Sequence, residues 1–116
     1  MGVKTRNLGN SEGKDIQWQA PLNADGSTIF NLEAGKGYFI NTTSNAIEMD
    51  LPAGTLGDEV SFIDYAGTFD SNALTIDQNG SEKIHGSTDP LTVSVERAAN
   101  TLVFTDSTQG WLLKNK

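Results

Sequence analysis

With 116 residues, 36% hydrophobic and 20% charged, the chain has the composition of one folded domain with a modest core. The absence of cysteine excludes disulfides, zinc–thiolate sites and thiol nucleophiles. The net charge of −7 divides into about +2 for residues 1–14, about −11 for the middle and about +2 for Lys114 and Lys116. An acidic middle repels phosphate backbones, so we expect no nucleic-acid partner for the folded part.

Residues 1–17 are predicted to form an extended basic arm. This segment lacks the apolar core of a secretory signal, and no apolar run in the chain approaches membrane-spanning length, so we expect a soluble protein without a membrane partner. Lys4, Arg6 and Lys14, set against Glu12, could dock the arm on an acidic surface of a sister subunit or a larger assembly. The alternative is a frayed terminus that contacts nothing.

Residues 18–116 are predicted to form a single all-β domain of about eight to ten short strands, compact and β-sandwich-like or jelly-roll-like. Apolar and polar residues alternate over short windows, and almost no stretch keeps a helical period. The predicted strands, in chain order, are Ile16–Gln19, Thr28–Leu32, Tyr38–Asn41, Ile47–Leu51, Val60–Asp64, Leu74–Gln78, Glu82–His85, Leu91–Val95, Leu102–Phe104 and Trp111–Leu113.

Turn signals recur at roughly ten-residue intervals, which favours a sandwich over a parallel α/β sheet. Asn79-Gly80 predicts a hairpin between Leu74–Gln78 and Glu82–His85. Val95–Asn100 is the segment closest to a helix, but it is short and uncapped, so it is interpreted as a connection.

Residues with catalytic chemistry are sparse. His85 lies near Ser87 and Asp89, but no nucleophile-elbow sequence frames a serine, so a satisfied strand histidine is the favoured interpretation. Paired carboxylates could serve a glycosidase, yet a chain of this size with two Trp and two Tyr leaves little room for a sugar cleft. Residues 77–82 resemble part of a calcium loop but fail the EF-hand pattern. We therefore predict no enzyme activity, no cofactor and no metal.

The aromatic residues are interpreted mainly as packing groups, because most of them lie in strand-like windows. Trp18 and Tyr65 are placed less clearly, and either could be an exposed anchor on a partner surface. The residues interpreted as packing groups are Phe30, Tyr38, Phe39, Phe62, Phe104 and Trp111.

Five segments in order resemble a β-sandwich-like structural module of marine tailed-phage virion proteins, especially tail-fibre-like and other virion proteins of cyanophages. The resemblance runs from Trp18 to the C-terminus. The segments are GYFINTTS from Gly37, LPAG with GD from Leu51, DYAGTF from Asp64, NG with KI from Asn79, and QGW from Gln109.

This resemblance implies a non-enzymatic module on the virion exterior, commonly a homotrimer, made in the host cytoplasm. Residues 1–17 do not match the module, and the chain has no fibrous shaft. From its size and basic arm we predict a capsid decoration or cement protein whose partner is the major capsid protein or another virion protein. The alternative is a tail-fibre, neck or head-fibre component that binds host-surface glycan.

Overall fold

A computed structural model describes residues 15–114, and these residues form ten β-strands and no helix. The all-β prediction is confirmed, and the number of strands falls within the predicted range. Within the described range no helix is long and apolar enough to cross a bilayer. The strands are β1 Gln17–Trp18, β2 Leu22–Asn23, β3 Ile29–Asn31, β4 Lys36–Asn41, β5 Ile47–Asp50, β6 Glu59–Asp64, β7 Leu74–Asp77, β8 Leu91–Val93, β9 Ala99–Phe104 and β10 Trp111–Leu113.

The strands lie in two sheets, and the chain alternates between them from β2 to β7. The six-stranded sheet has the order β1-β4-β6-β9-β10, with β2 pairing with the same strand, β4, as β1 does. The four-stranded sheet has the order β3-β5-β7-β8. Pairings among β1 to β7 are parallel, whereas β8, β9 and β10 add antiparallel pairs. The N-terminal two thirds therefore winds like a short coil, and the C-terminal strands complete each sheet.

One buried apolar cluster draws side chains from both sheets. Strand alternation explains which residues enter it, because every second side chain of a strand points to the same face. In β5 and β7 the buried residues alternate with partly exposed ones, and β6 contributes Val60 and Phe62. The largest side chains with less than 2% exposure are Trp111, Phe62, Phe69, Ile40, Met49, Leu74, Ile76 and Leu102.

Asp64, at the end of β6, organises the loop that follows. Its carboxylate accepts backbone N–H bonds from Gly67 at 3.0 Å, Thr68 at 3.1 Å, Phe69 at 3.1 Å and Arg97 at 2.9 Å. Burial acts to raise the pKa of this carboxyl, but the N–H donors lower the pKa by more, so it lies below its ordinary value. One side chain thus ties the 65–69 loop to the turn before β9.

Three local predictions were wrong. Asn79-Gly80 forms a turn, but Glu82–His85 is no strand, and within it only Ile84 makes isolated bridges. The antiparallel partner of β7 is instead β8. The short strand β2 was missed, and β9 begins at Ala99, inside the Val95–Asn100 segment that was interpreted as a connection. Phe39, predicted to fill either the core or a subunit contact, is partly exposed on the opposite face of its strand from Tyr38 and Ile40, so it is not a core residue.

The predicted arm falls almost wholly outside the described residues. Gln17, its last residue, pairs with Lys36 in the β1–β4 ladder. Lys4, Arg6 and Lys14 lie outside the described residues, so the arm and its docking role stay predictions.

Candidate functional site

The outer face of the six-stranded sheet, turned away from the apolar cluster, carries both aromatic residues singled out from the sequence. Trp18 in β1 is 45% exposed and Tyr65, directly after β6, is 51% exposed. The Tyr65 N–H donates to Ile40 O at 2.9 Å, so strand pairing continues one residue beyond β6. By alternation, Tyr65 then shares its face with Ser61 and Ile63.

Trp18 lies directly on the backbone of β4. Gly37 is its register partner, and a Cβ on Gly37 would come within 2.5 Å of Trp18 Cε3. The Trp18 ring also contacts Phe39, with ring centroids 5.0 Å apart and planes inclined by 33°. Glycine at position 37 therefore lets the indole approach the sheet more closely than any residue with a side chain would.

A shallow depression of about 170 Å³ opens beside Trp18. Its floor holds the hydroxyls of Ser61 and Thr101, which are 2.7 Å apart and hydrogen-bonded to each other. These two residues are paired across β6 and β9, and the neighbouring pair, Ile63 and Ala99, adds apolar surface. The depression therefore combines one large aromatic ring, an apolar margin and a polar floor.

The four-stranded sheet carries an acidic group on its outer face. Glu48 and Asp50 alternate with buried residues of β5, and the parallel register places Asp77 of β7 beside Asp50. One carboxylate oxygen from each of the three residues lies within 4.8 Å of the others. Burial and the charges of Asp50 and Asp77 raise the pKa of the Glu48 carboxyl. The trio has the oxygen chemistry of a hard-cation ligand set, and the closeness of its three carboxyl groups contributes to the raised pKa of Glu48.

Alternation within β5 could have placed Glu48 and Asp50 on one face from the sequence alone. The contribution of Asp77 could not be foreseen, because it depends on the parallel pairing of β5 with β7. The other carboxylate of the segment that resembles a calcium loop, Glu82, has a structural role. Both of its oxygens accept the N–H of Gly54, at 3.0 and 3.2 Å.

His85 occupies a turn with a backbone φ of 52°, and its side chain is exposed. Its Nε2 accepts the backbone N–H of Leu113 at 3.3 Å, which ties the turn to β10. The Ser87 hydroxyl accepts the N–H of Asp89 at 3.0 Å. The contacts of both side chains therefore support the local turn.

Charge is strongly one-sided over the described residues. Residues 15–114 carry fourteen carboxylate side chains and four Lys or Arg side chains. Two ion pairs join side chains within this range, Lys36 with Glu33 at 2.8 Å and Lys114 with Glu59 at 3.6 Å. A negative field over the folded body disfavours close approach of anionic ligands.

Comparison with known proteins finds a similarity to a component of a phage baseplate. The similar protein is the baseplate wedge protein gp10 of Enterobacteria phage T4, 31% identical over 97 residues. The match covers 81% of this chain but 16% of that protein, so the chain corresponds to about a sixth of its relative's length. No protein-family model matches the chain.

Proposed function

We propose that this chain is a non-enzymatic structural module of the tail or baseplate region of a tailed-phage particle. The observation that carries the proposal is the 97-residue similarity to a stretch of a baseplate wedge protein, which extends over most of this chain. A short coil of parallel strands with antiparallel strands at its C-terminal end suits a rigid spacer or connector, because its surface is built on paired strands.

Capsid decoration, the leading hypothesis from the sequence, is the competing position. It rests on a basic arm, Lys4, Arg6 and Lys14, that could lie on the shell or on a neighbouring acidic body. The similarity to a baseplate protein supports the tail position instead. Exposure on the virion exterior, a homotrimeric state and a cyanophage source are part of the proposal in either position.

Copy number per virion separates the two positions. Quantitative mass spectrometry of purified particles gives the ratio of this protein to the major capsid protein, and immunogold electron microscopy gives its location. A few copies at the tail end support the proposal. A copy number near that of the capsid protein, with label over the head, would establish decoration. Absence of the protein from the particle would rule out both positions.

Charge reversal of the arm is a second test. Lys4→Glu combined with Arg6→Glu should weaken docking on an acidic partner, and the loss should shrink at high salt because screening weakens both the original attraction and the new repulsion. Lys36→Glu combined with Lys83→Glu is a control with the same change in net charge, since both lysines lie in the described body. Binding that survives the double reversal would show that the arm does not dock by charge.

A further inference from the structure

The four-stranded sheet ends in an open edge at β8. In the sheet order β3-β5-β7-β8, the only strand neighbour of β8 among the described residues is β7. The carbonyls of Ala73 and Asp77 accept N–H bonds from the β5 side of the sheet, at 3.2 and 2.8 Å, so the odd-numbered residues of β7 direct their backbone groups toward β5. Because backbone direction alternates along a strand, Leu74 and Ile76 face β8.

Thr92, in the middle of β8, directs its backbone groups outward. The antiparallel register pairs Leu91 with Ile76 and Val93 with Leu74, and these are the pairs whose backbone groups face each other. The N–H and C=O of Thr92 therefore point away from β7, and residues 15–114 provide no strand on that side. An unpaired strand edge of this kind is a template for a further strand.

An apolar groove of about 360 Å³ lies beside this edge, between β8 and the start of β9. Leu91, Val93, Ala98 and Leu113 line the groove, and each of them is a partly buried residue packed against the apolar cluster. Val95 also lines it and is 68% exposed. The core of the protein is therefore left open along the β8 edge.

A carboxylate residue lies on each side of the β8 segment. Asp89 precedes β8 and Glu96 lies in the turn that follows it, and neither belongs to the two ion pairs found within residues 15–114. Those residues carry fourteen carboxylate side chains and four Lys or Arg side chains. The negative field therefore attracts a basic ligand to this edge and opposes edge-to-edge pairing of two copies of the body.

We propose that the β8 edge binds an extended segment of another protein by strand addition. The segment pairs its backbone with Thr92, places aliphatic side chains at alternate positions in the groove, and carries a basic residue at each end, near Asp89 and Glu96. In this mode of recognition main-chain hydrogen bonds supply affinity, and pockets for alternate side chains supply specificity. The inference rests on the fold and holds for either position of the protein in a particle.

The probe is a peptide with the proposed pattern, acetyl-KVTVTVK-amide. It is titrated into the isotope-labelled full chain at low salt, up to millimolar concentration, and followed by NMR. We expect saturable shifts at Thr92, Ser94 and Val95. Hydrogen exchange of the Thr92 N–H should slow when the peptide is bound, because a peptide carbonyl then accepts that N–H.

Two control peptides test the pattern and the charge. KVVTTVK has the same composition but breaks the alternation, and EVTVTVE keeps the alternation but carries acidic ends. Each should bind at least about fivefold more weakly than KVTVTVK. The deficit of EVTVTVE should shrink at high salt, because salt screens its repulsion from the acidic body.

Two variants at one position separate backbone pairing from side-chain contact. Thr92→Pro removes the outward N–H and leaves the bonds to β7 in place, since proline is tolerated on edge strands where the N–H faces solvent. It should weaken binding of KVTVTVK by about tenfold or more. Thr92→Ala is the matched control, because it keeps the N–H and should bind like wild type.

A second pair of variants tests the groove. Val95→Thr should weaken binding by about threefold, because it replaces a groove methyl group with a hydroxyl. Ile29→Thr is its control and should leave binding unchanged, since Ile29 is a 50% exposed residue on β3, the opposite edge strand of the same sheet. Circular dichroism checks that each variant retains its fold.

Three results would overturn the proposal. The first is no saturable binding of KVTVTVK by the wild-type chain; if sedimentation then shows self-association that Thr92→Pro abolishes, the edge belongs to a second copy. The second is equal binding by Thr92→Pro and Thr92→Ala. The third is a set of shifts confined to Ile29–Asn31, which would place the peptide on the other edge. None of these results bears on virion copy number, so the two proposals fail separately.

Discussion

Replacing Asp64 with asparagine removes one charge from the centre of the 65–69 loop. Four backbone N–H groups point at this carboxylate, from Gly67, Thr68, Phe69 and Arg97. The side chain is 1% exposed, so water cannot replace a lost acceptor. In the asparagine variant one acceptor oxygen becomes an N–H₂ group that faces N–H donors.

The expected loss is large for one isosteric change. A hydrogen bond to a charged group contributes about 1.5–3 kcal/mol, and the oxygen that becomes N–H₂ accepts at least one buried N–H, so we expect Asp64→Asn to destabilise the fold by about 3 kcal/mol. With a urea m-value of about 1.5 kcal/mol/M, the unfolding midpoint falls by roughly 2 M. The thermal midpoint falls by roughly 10–15 °C. Asp70→Asn, at an exposed position in the following loop, should change little.

The pH dependence gives an independent check on the same carboxylate. Its pKa is lower in the fold than in the unfolded chain, where an aspartate titrates near ~3.9. Its stabilisation is therefore complete above that value and is lost as the pH falls below it toward the native pKa. Urea titrations between pH 7 and pH 2 should show a steep acid loss in wild type and a shallower one in Asp64→Asn. A loss under 1 kcal/mol at pH 7, or parallel acid limbs, would refute this account of the carboxylate.

Three further predictions concern the two outer faces and one turn. Glu48→Gln should stabilise the fold at pH 7 by up to about 1 kcal/mol, measured by urea unfolding. Because the Glu48 pKa is raised, that gain should vanish as the pH falls through the raised value, where the wild-type glutamate becomes neutral like the glutamine. A gain that stays constant with pH would contradict charge repulsion at Glu48. Gly110→Ala should lower the free energy of unfolding by about 3 kcal/mol or more in the same assay, since φ is 73° and a Cβ would lie 1.9 Å from Lys83 O. Near-wild-type stability would show that the β9–β10 turn can change its conformation to accept the methyl group. Gly37→Ala should keep the circular dichroism spectrum but shift Trp emission to the red by displacing Trp18; an unchanged spectrum would show that the ring is not held on the sheet.

Alternation carried most of the fold prediction. It marked β5, β6, β7, β8 and the second half of β9, because a buried face leaves a period of two even in short segments such as Ile47–Asp50. It could not give the pairing, since a pattern within one strand says nothing about the neighbouring strand. Asn79-Gly80 shows the consequence, because a turn that usually joins adjacent strands here leads into a segment with only two isolated bridges, both at Ile84.

The candidate site was foreseen only in part. Exposure of Trp18 and Tyr65 could be suspected because neither fitted the core pattern, but their shared face follows from the β1–β4–β6 register. Phe39 was assigned to packing in the core or in a subunit contact because aromatic residues in strands are usually buried, and here its ring packs against Trp18. Ser61 and Thr101 give no individual signal, since they are forty positions apart and meet only through the β6–β9 ladder.

The alternation of β2 to β7 between two sheets also shapes how the chain can fold. β3 pairs with β5, and β5 with β7, each across a strand that belongs to the other sheet. No such pair can close as an isolated hairpin, so loop-closure entropy opposes early pairing and the rate-limiting step should involve distant segments. β9 and β10, joined by the short 105–110 turn, are positioned to pair locally. We therefore expect slow folding for a chain of this length, with β9–β10 pairing ahead of the coil.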